Sequence, residues 1–452
     1  MRLIVGTTIF VLAAGAGVAR GEPLSRGEAA ARAVRANPAV ERSREDLRIL
    51  EGRKREAVAD ALPEVKVVGS ATRYRDPSLL NSPGFESFPP ELRDLLTVAP
   101  ANLYEASARL HQTLFSFRLG GAIQAAKHGL AMGQEQVRRS EQAVALQAVR
   151  AYNAYLLQIE RLHVAEDALH QKERHLEMAR NRRAAGVATE LEVLRAEVDV
   201  QNQRAQLSGA RASADVARAA LNAVMMRPTG EAVEPVDTLA FVPFDVPLPD
   251  IVAEALANRP EMRATRRMEQ AYEQLVSVAR ADALPRLDLD AAWGYSVREL
   301  GNFGKSEYAR WNAALSLTVP VFDGLRTAGR VAQARGDARK ITQDRLALDT
   351  QIRLEAHEAF ERLNTARTVL DASEANVAQA RKALDMTQAN YNHGAATTLD
   401  VLDAQSALTL AESIRIEALH EHADTRATLR YVMGRDPLDP AAPNAASERD
   451  AQ

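Results

Sequence analysis

Large apolar residues recur every seven positions along one stretch in the second half of the chain, with a row of small residues beside them. The large residues are Leu363, Leu370, Val377, Leu384 and Tyr391, and the small ones are Ala359, Ala366, Ser373, Ala380 and Thr387. This spacing is typical of helices that pack closely in a coiled-coil-like array. In the first half, Tyr155, Leu162, Leu169 and Leu176 follow the same spacing.

The pattern predicts two long helices, over about 119–185 and 325–393. Proline is absent from residues 101–227 and 321–436, so no proline breaks a helix in either region. At about 1.5 Å per residue, each helix would be of the order of 100 Å long. No globular domain is that wide, so we expect an elongated molecule.

Four shorter segments alternate apolar with polar residues. The clearest covers residues 287–296, 311–319 repeats the pattern, and 65–74 and 103–115 show it more faintly. Period-two alternation predicts strands with one apolar and one wet face. Strands of roughly 10 residues with aromatic ends fit a transmembrane β-barrel. Four strands cannot close a barrel, so several chains would have to share one. The alternative is a small soluble sheet packed on the helices.

The chain carries two copies of one pattern of elements. Ala59-Asp-Ala-Leu-Pro63 recurs unchanged 222 residues later and ends at Pro285. Gly186 and Gly394 occupy matching places in two turns 208 residues apart. The smaller second offset places an insertion in the first copy, within 76–100, where the composition predicts an exposed loop. Each copy is predicted to run helix, strand, strand, long helix, turn, helix.

These observations predict the organisation of the whole chain. The fold class is mainly α with β: long antiparallel, coiled-coil-like helices plus a four-stranded contribution to a transmembrane β-barrel shared between chains. The predicted segments are a signal peptide at 1–21, repeat 1 at 22–226 with a hairpin at 63–117, a connector at 227–250, repeat 2 at 251–434 with a hairpin at 285–321, and a disordered tail at 435–452. Shorter helical runs are expected over 24–62 and 252–284.

The N-terminus has the features of a secretory signal. Arg2 precedes the apolar residues 3–14, and small residues follow up to Gly21. A single transmembrane anchor is the alternative, although the apolar run is shorter than the roughly 20 residues that a span needs. No later stretch resembles a membrane helix. The mature protein is therefore expected to leave the cytoplasm.

Composition and charge exclude several classes of function. The 452 residues carry a formal charge of −3, which gives no support for nucleic-acid binding. Cysteine is absent, which excludes disulfides, thiolate metal sites and a cysteine nucleophile. The nine histidines are scattered, and no nucleophile or metalloprotease motif is present. We therefore predict a protein that is not an enzyme and has no cofactor or metal.

Three sequence motifs resemble those of the TolC family of outer-membrane efflux proteins. Residues 394–405 read Gly-Ala-Ala-Thr-Thr-Leu-Asp-Val-Leu-Asp-Ala-Gln, residues 186–194 read Gly-Val-Ala-Thr-Glu-Leu-Glu-Val-Leu, and residues 319–326 read Val-Pro-Val-Phe-Asp-Gly-Leu-Arg. The resemblance implies a homotrimer with one twelve-stranded barrel in outer-membrane lipid and a periplasmic α-helical barrel. It also implies that the turns form a periplasmic entrance and meet an adaptor protein bound to an inner-membrane pump.

Asp400 and Asp403 are the first candidate residues at this entrance. They are three positions apart and share a helix face, so three copies would gather six carboxylates around the entrance. Such charges raise one another's pKa and attract cations, which predicts a selectivity filter. A pair of ordinary solvated carboxylates is the alternative.

The resemblance also implies a closure of the entrance by a tyrosine, an aspartate and an arginine. Tyr391 matches the tyrosine, Glu192 stands where the first copy has the aspartate, and Ala396 occupies the arginine position. That salt bridge cannot form here, so we expect the closed state to be held differently or less tightly. Arg195 is the candidate substitute.

The predicted function is an outer-membrane exit duct of a tripartite efflux or type I secretion system. The alternative is a periplasmic coiled-coil adaptor or scaffold protein of an export system, which would also combine a signal peptide with long helical hairpins. Adaptors usually carry one hairpin, whereas this chain carries two complete copies.

Overall fold

The computed structural model describes residues 22–75, 77, 84, 87–90 and 100–437. The predicted signal peptide, most of the predicted loop at 76–100 and the predicted tail beyond 437 lie outside the described residues. In chain order the elements are β1 (Glu22–Leu24), α1 (Arg26–Ala36), α2 (Pro38–Ala59), β2 (Glu64–Tyr74), β3 (Ala101–Ser116), α3 (Phe117–Ala184), α4 (Glu190–Val224), β4 (Val233–Pro235), α5 (Leu248–Asn258), α6 (Pro260–Ala281), β5 (Arg286–Val297), β6 (Ala309–Thr318), α7 (Arg326–Asn392) and α8 (Thr398–Val432).

Each of the two shorter helical runs consists of two helices separated by a short break. The breaks fall at Asn37 and Arg259, each of which precedes a proline and has an extended backbone, with ψ of 126° and 127°. A proline ring clashes with a helical conformation of the residue before it, so the helix stops there. The Asn37 side chain accepts a hydrogen bond from the Ala39 N–H at 2.9 Å and so caps the helix that follows.

The chain divides into two compact units, each built from separate stretches of sequence. The first contains the described parts of Met1–Ser43, Arg138–Pro260 and Thr350–Gln452, and the second contains Arg44–Val137 and Glu261–Asp349. The long helices α3 and α7 each contribute residues to both units. The two turns belong to the first unit and the four-stranded sheet belongs to the second.

Buried tyrosines organise the main core of the first unit. The Tyr152 hydroxyl donates to the Leu24 carbonyl at 2.8 Å, and the Tyr155 hydroxyl donates to the Val233 carbonyl at 3.1 Å. These bonds hold β1 and β4, which pair in parallel. The predicted connector at 227–250 therefore contains one short strand, which three residues are too few to reveal as a period in the sequence.

The heptad row of the second half is buried as the spacing predicts. Leu363, Leu370, Leu384 and Tyr391 are buried, and Val377 is half-buried. In the first half Tyr155 is buried, whereas Leu162, Leu169 and Leu176 are only half-buried. Within the described residues, no helix combines the length and the apolar character that crossing a membrane requires.

The second unit contains a four-stranded sheet in the order β2-β3-β5-β6. All neighbouring strands are antiparallel, so the two predicted hairpins are present and are joined through β3 and β5. The edges are formed by β2 and β6, and among the described residues neither edge has a further strand beside it. Each edge therefore presents unpaired backbone groups.

The two faces of this sheet differ in chemistry. One face carries the apolar residues Val65, Val67, Leu110, Leu289, Trp293, Trp311, Leu315 and Leu317, and the other carries Glu64, Lys66, Ser107, Arg109, His111, Asp290 and Asn312. Every residue of β2 and β6 is exposed, so the helices of this chain do not cover them. Within the described residues, β2 and β6 are therefore not packed on the helices, as the alternative of a small soluble sheet would require.

Candidate functional site

The candidate site lies at the two turns that end the helical hairpins of the first unit. Hairpin 1 consists of α3, turn 1 (185–189) and α4, and hairpin 2 consists of α7, turn 2 (393–397) and α8. Gly186 and Gly394 have φ of +75° and +77°, the left-handed region that favours glycine. Both turns end their helices with the same pair of backbone hydrogen bonds, donated in turn 1 by the N–H groups of Gly186 and Val187.

Threonine begins the helix after each turn. The Thr189 hydroxyl accepts from the Glu192 N–H at 3.3 Å, and the Glu192 carboxylate accepts from the Thr189 N–H at 3.4 Å. Thr397 and Asp400 repeat the arrangement, with the Asp400 carboxylate 2.7 Å from the Thr397 N–H. Two predicted site residues, Glu192 and Asp400, are therefore the acidic members of reciprocal capping boxes.

The capping box controls the charge of Asp400. The hydroxyl and the N–H of Thr397 donate to the carboxylate and hold the pKa of Asp400 below its usual range. In the single chain this direction is opposite to the rise expected for a ring of like charges. A lowered pKa keeps the carboxylate ionised, so turn 2 presents a fixed negative charge. Asp403 is exposed one helical turn further along α8.

Tyr391 is buried just before turn 2 and contacts α3 of hairpin 1. The Arg182 guanidinium carbon lies 4.7 Å from the centre of the Tyr391 ring, within the range of a cation–π interaction. The His175 ring centre lies 6.4 Å from that of Tyr391. Positions 175, 179 and 182 share one face of α3, and the small Ala179 between them is also buried. Tyr391 therefore joins hairpin 2 to hairpin 1.

His175 is a buried imidazole without a hydrogen bond. It is 2% exposed, and neither ring nitrogen has a partner within the described residues. Burial lowers the pKa of His175, and the negative charges of Asp199 and Glu192 act in the opposite direction. The ring is therefore neutral at pH 7 and packs as an apolar group beside Tyr391.

The structure does not bring the other predicted closure residues to Tyr391. Arg195 is exposed on α4, and within the described residues it has no hydrogen bond, ion pair or ring contact with Tyr391. Glu192 is engaged by Thr189. The cation that reaches Tyr391 is Arg182, which precedes the turn glycine by four residues. A scan of α3 for side chains on the face of Ala179 would have suggested both Arg182 and His175.

Ion pairs join the two helices of hairpin 1. Three of them link α3 to α4 through exposed side chains: Arg180 to Glu197 at 2.7 Å, Arg204 to Glu173 at 3.0 Å and Arg211 to Glu166 at 3.3 Å. A fourth, Arg183 to Glu190, spans turn 1. Between α7 and α8, over residues 360–425 of the described chain, one such pair is present, Arg381 to Glu412 at 2.8 Å.

The described residues around the turns lack the clustered side chains that a metal ion would need. Among the described residues, no group of three or more histidine and carboxylate side chains converges on a common point. Of the acidic side chains at the turns, Glu192 and Asp400 are bound by the threonine caps and Glu190 is paired with Arg183. The residues at the turns can therefore do two things: Asp400 presents a fixed negative charge, and Tyr391 holds hairpin 2 against hairpin 1.

Comparisons with known proteins cover most of the chain. A family model described as outer membrane efflux protein matches residues 30–225 and 251–435. The outer membrane efflux protein BepC of Brucella suis is 27% identical over 340 residues, which are 73% of this chain and 72% of that protein. The outer membrane protein TolC of Vibrio cholerae is 24% identical over 345 residues, 74% of this chain and 77% of that protein.

The fold is also similar to solved structures. The outer membrane protein VceC from Vibrio cholerae superposes with a TM-score of 0.75 at 19% identity, covering 91% of this chain and 96% of that chain. At this level of identity the similarity concerns the fold.

Proposed function

The chain belongs to the outer membrane efflux protein family, and from that premise we propose that it is the exit duct of a tripartite efflux or type I secretion system. Substrates pass from an inner-membrane pump and a periplasmic adaptor through the duct to the exterior. The work of such a duct is conduction, so the protein acts as a transport channel with no chemistry on its substrate.

The observation that carries this proposal is the sheet with unlike faces and two unpaired edges. Val67 is 82% exposed and Trp311 is 77% exposed, and both lie on the apolar face. A large uncovered apolar surface of this kind marks contact with a membrane or a partner. Lipid supplies no hydrogen bonds, so the edge groups of β2 and β6 must pair with strands. In a ring, β6 of one copy pairs with β2 of the next.

Three copies of four strands make the twelve-stranded barrel that the family resemblance implies. Alternation then places the apolar face toward lipid and the polar face toward the lumen. The long helices continue the duct as an α-helical barrel in the periplasm. This assembly accounts for both the exposed face and the open edges of the single chain.

The turns form the periplasmic entrance in this proposal. Asp400 remains ionised because Thr397 holds its pKa down, and with Asp403 it contributes to a ring of negative charge in the trimer. That ring favours cations at the entrance. The contact of Arg182 with Tyr391 supports a closed state in place of the salt bridge that Ala396 cannot make.

Membrane fractionation followed by bilayer recording tests the proposal. We expect the mature chain in the outer-membrane fraction as a detergent-dependent trimer that conducts ions in planar bilayers. A soluble periplasmic monomer that conducts no ions would overturn the proposal and favour the adaptor or scaffold alternative.

The entrance ring has a separate test in the Asp400→Asn/Asp403→Asn channel. Asparagine keeps a capping oxygen for Thr397 and removes the charge, so the helix start is preserved. We expect the cation preference of the current to fall. An unchanged preference would remove the ring from the mechanism while leaving the duct intact.

A further inference from the structure

Two cations stand directly opposite each other on the polar face of the sheet. Lys66 of β2 is the cross-strand partner of Arg109 of β3, and Arg310 of β6 lies one row further along the same face. Side chains at directly opposite positions are about 5 Å apart at Cβ, so like charges there repel. Lys66 and Arg109 therefore occupy opposite positions on neighbouring strands although the repulsion between their charges destabilises the sheet.

Most charged side chains on this face have an opposite charge beside them. Lys66 pairs with Glu64 at 2.8 Å, Arg310 with Glu105 at 2.9 Å and Arg286 with Asp288 at 3.2 Å. Arg109 differs from these three cations. Its hydrogen bond is donated by Nε to the Ser107 hydroxyl at 3.3 Å, and within the described residues it has no carboxylate partner. The guanidinium nitrogens beyond Nε are available to a ligand.

The residues of β5 beside these cations have little or no side chain, and one of them must remain glycine. A Cβ at Gly294 would lie 2.1 Å from the Ala106 carbonyl oxygen, so the close approach of β3 to β5 requires glycine there. Ala292, the cross-strand neighbour of Arg109, adds only a methyl group. The result is an open groove of about 800 Å³ whose lining includes the cations Lys66, Arg109 and Arg310 and the carboxylates Glu64 and Asp290.

We propose that Lys66 and Arg109 form an oxyanion-contact site in the lumen of the β-barrel, where carboxylate or phosphate groups of passing solutes are bound transiently. The inference rests on the proposed function, because that function places the polar face in the lumen. An arginine with free guanidinium nitrogens binds both groups through paired hydrogen bonds. Lipid phosphates contact the opposite, apolar face, so the ligand is a dissolved solute. Three copies supply three arginines without a carboxylate partner at one level of the pore, each beside a Lys66 that is paired with Glu64.

The site makes the duct a series of two filters of opposite sign. The acidic entrance favours cations, whereas the Lys66 and Arg109 level favours anions. A solute that carries both charges meets a complementary group at each end. Neutralising the barrel level alone is therefore expected to raise the preference of the whole channel for cations.

The test is the reversal potential of purified full-length channels in a planar bilayer under a potassium chloride gradient. Arg109→Gln and Lys66→Gln are each expected to lower the chloride-to-potassium permeability ratio by up to roughly fivefold, the local concentration effect of one charge at about 4 Å in water. Arg109→Lys keeps the charge and should retain most of the ratio. Lys305→Gln removes one positive charge from the loop between β5 and β6, and should leave the ratio unchanged.

Citrate supplies a second readout that needs no variant to fold. Citrate added to the wild-type channel is expected to reduce the chloride current at concentrations that have no effect on Arg109→Gln. The proposal is overturned if the ratio and the citrate effect are the same in wild type and Arg109→Gln, or if Lys305→Gln shifts the ratio equally. A wild-type chain that conducts no ions would instead overturn the proposed function, and this inference with it.

Discussion

Turn 1 and turn 2 place different residue pairs at the same two positions. In turn 1, Arg183 before the turn forms an ion pair with Glu190 after it. The corresponding residues 208 positions later are Tyr391 and Thr398, whose hydroxyls are 3.4 Å apart. The glycine conformation and the threonine capping box are common to both turns. The backbone of the turn therefore depends on neither pair.

The difference continues along the two hairpins. Hairpin 1 has three ion pairs between α3 and α4 in addition to the pair at its turn. Hairpin 2 has one over residues 360–425 and presents Tyr391 to α3. Exposed ion pairs contribute less than about 1 kcal/mol each, whereas a buried aromatic ring contributes several times more. We infer that hairpin 1 holds itself together and that hairpin 2 is held by hairpin 1.

Of the substitutions that test this difference between the hairpins, Tyr391→Ala should have the largest effect, because it removes the contact between hairpin 2 and α3. Truncating a buried aromatic side chain costs about 3–5 kcal/mol, which here falls on the contact between α7 and α3. We expect faster hydrogen exchange of the α7 amides near turn 2 and a larger open fraction in bilayer recordings. Tyr391→Phe keeps the ring over Arg182 and should change little. If Arg183→Ala at the matching place in turn 1 has an equal effect, the asymmetry between hairpins is wrong.

Gly186→Ala and Gly394→Ala test whether the two backbones are equivalent. Both glycines have left-handed φ, and a Cβ at either would meet nothing within 4 Å. The only penalty is the conformation itself, about 1–2 kcal/mol for a residue with a side chain. Thermal unfolding of the trimer should shift by similar amounts in the two variants. A much larger shift in one would show that its turn has further contacts in the assembly.

Thr189→Ala and Thr397→Ala test the two caps, each at about 1 kcal/mol. Thr397→Ala also removes the hydroxyl donor, the larger of the two Thr397 hydrogen bonds that lower the pKa of Asp400, and leaves the backbone N–H in place. A carboxylate with a lowered folded-state pKa stabilises the fold above its unfolded value of 3.8, and this contribution is lost as the pH falls through the folded-state pKa. Acid unfolding of Thr397→Ala should therefore be less pH-dependent in this range than that of Thr397→Ser, which keeps the hydroxyl.

The smallest expected effect is a pH dependence confined to the contact between the hairpins. The pKa of His175 is lowered by burial, so the unfolded chain takes up a proton near pH 6.5 before the folded one does. The neutral His175 ring therefore makes its whole contribution to the stability of this contact above about pH 6.5, and that contribution falls as the pH decreases toward the folded-state pKa. After correction for intrinsic exchange, the amide hydrogens near turn 2 should therefore become less protected as the pH is lowered from 7.5 to 5.5.

His175→Phe is the matched control, since it keeps a buried ring and cannot titrate. The exchange rates of this variant should be flat over the same pH range after correction for intrinsic exchange. The position 208 residues later is Ala383, so hairpin 2 offers no equivalent group. A wild-type rate that does not change would show that Asp199 and Glu192 compensate the cost of burying the imidazole.

Much of the fold could be predicted from the sequence because local rules determine it. The seven-residue row predicted α7, and the glycines at matching places in the two copies predicted both turns. The resemblance to an outer-membrane efflux family is confirmed by the family match over residues 30–225 and 251–435. The breaks at Asn37 and Arg259 follow from the prolines directly after them, which are visible in the sequence.

The side-chain contacts at the site could not be predicted in the same way. Arg182 and His175 meet Tyr391 across two helices that are about 200 residues apart in sequence. A heptad pattern fixes which face of one helix is buried, but it does not fix the axial offset of that helix against another. Arg195 was chosen from its place in the turn, and only the packed helices reveal that Arg182 lies closer.

The parallel pairing of β1 with β4 also has a consequence for the order of folding. Glu22 pairs with Val233, so 211 residues separate two strands of three residues each. Closing so long a loop for a few hydrogen bonds is entropically unfavourable until the intervening helices have brought the ends together. We therefore expect the pairing of β1 with β4 to be among the last steps of folding, after the helices between these two strands have formed.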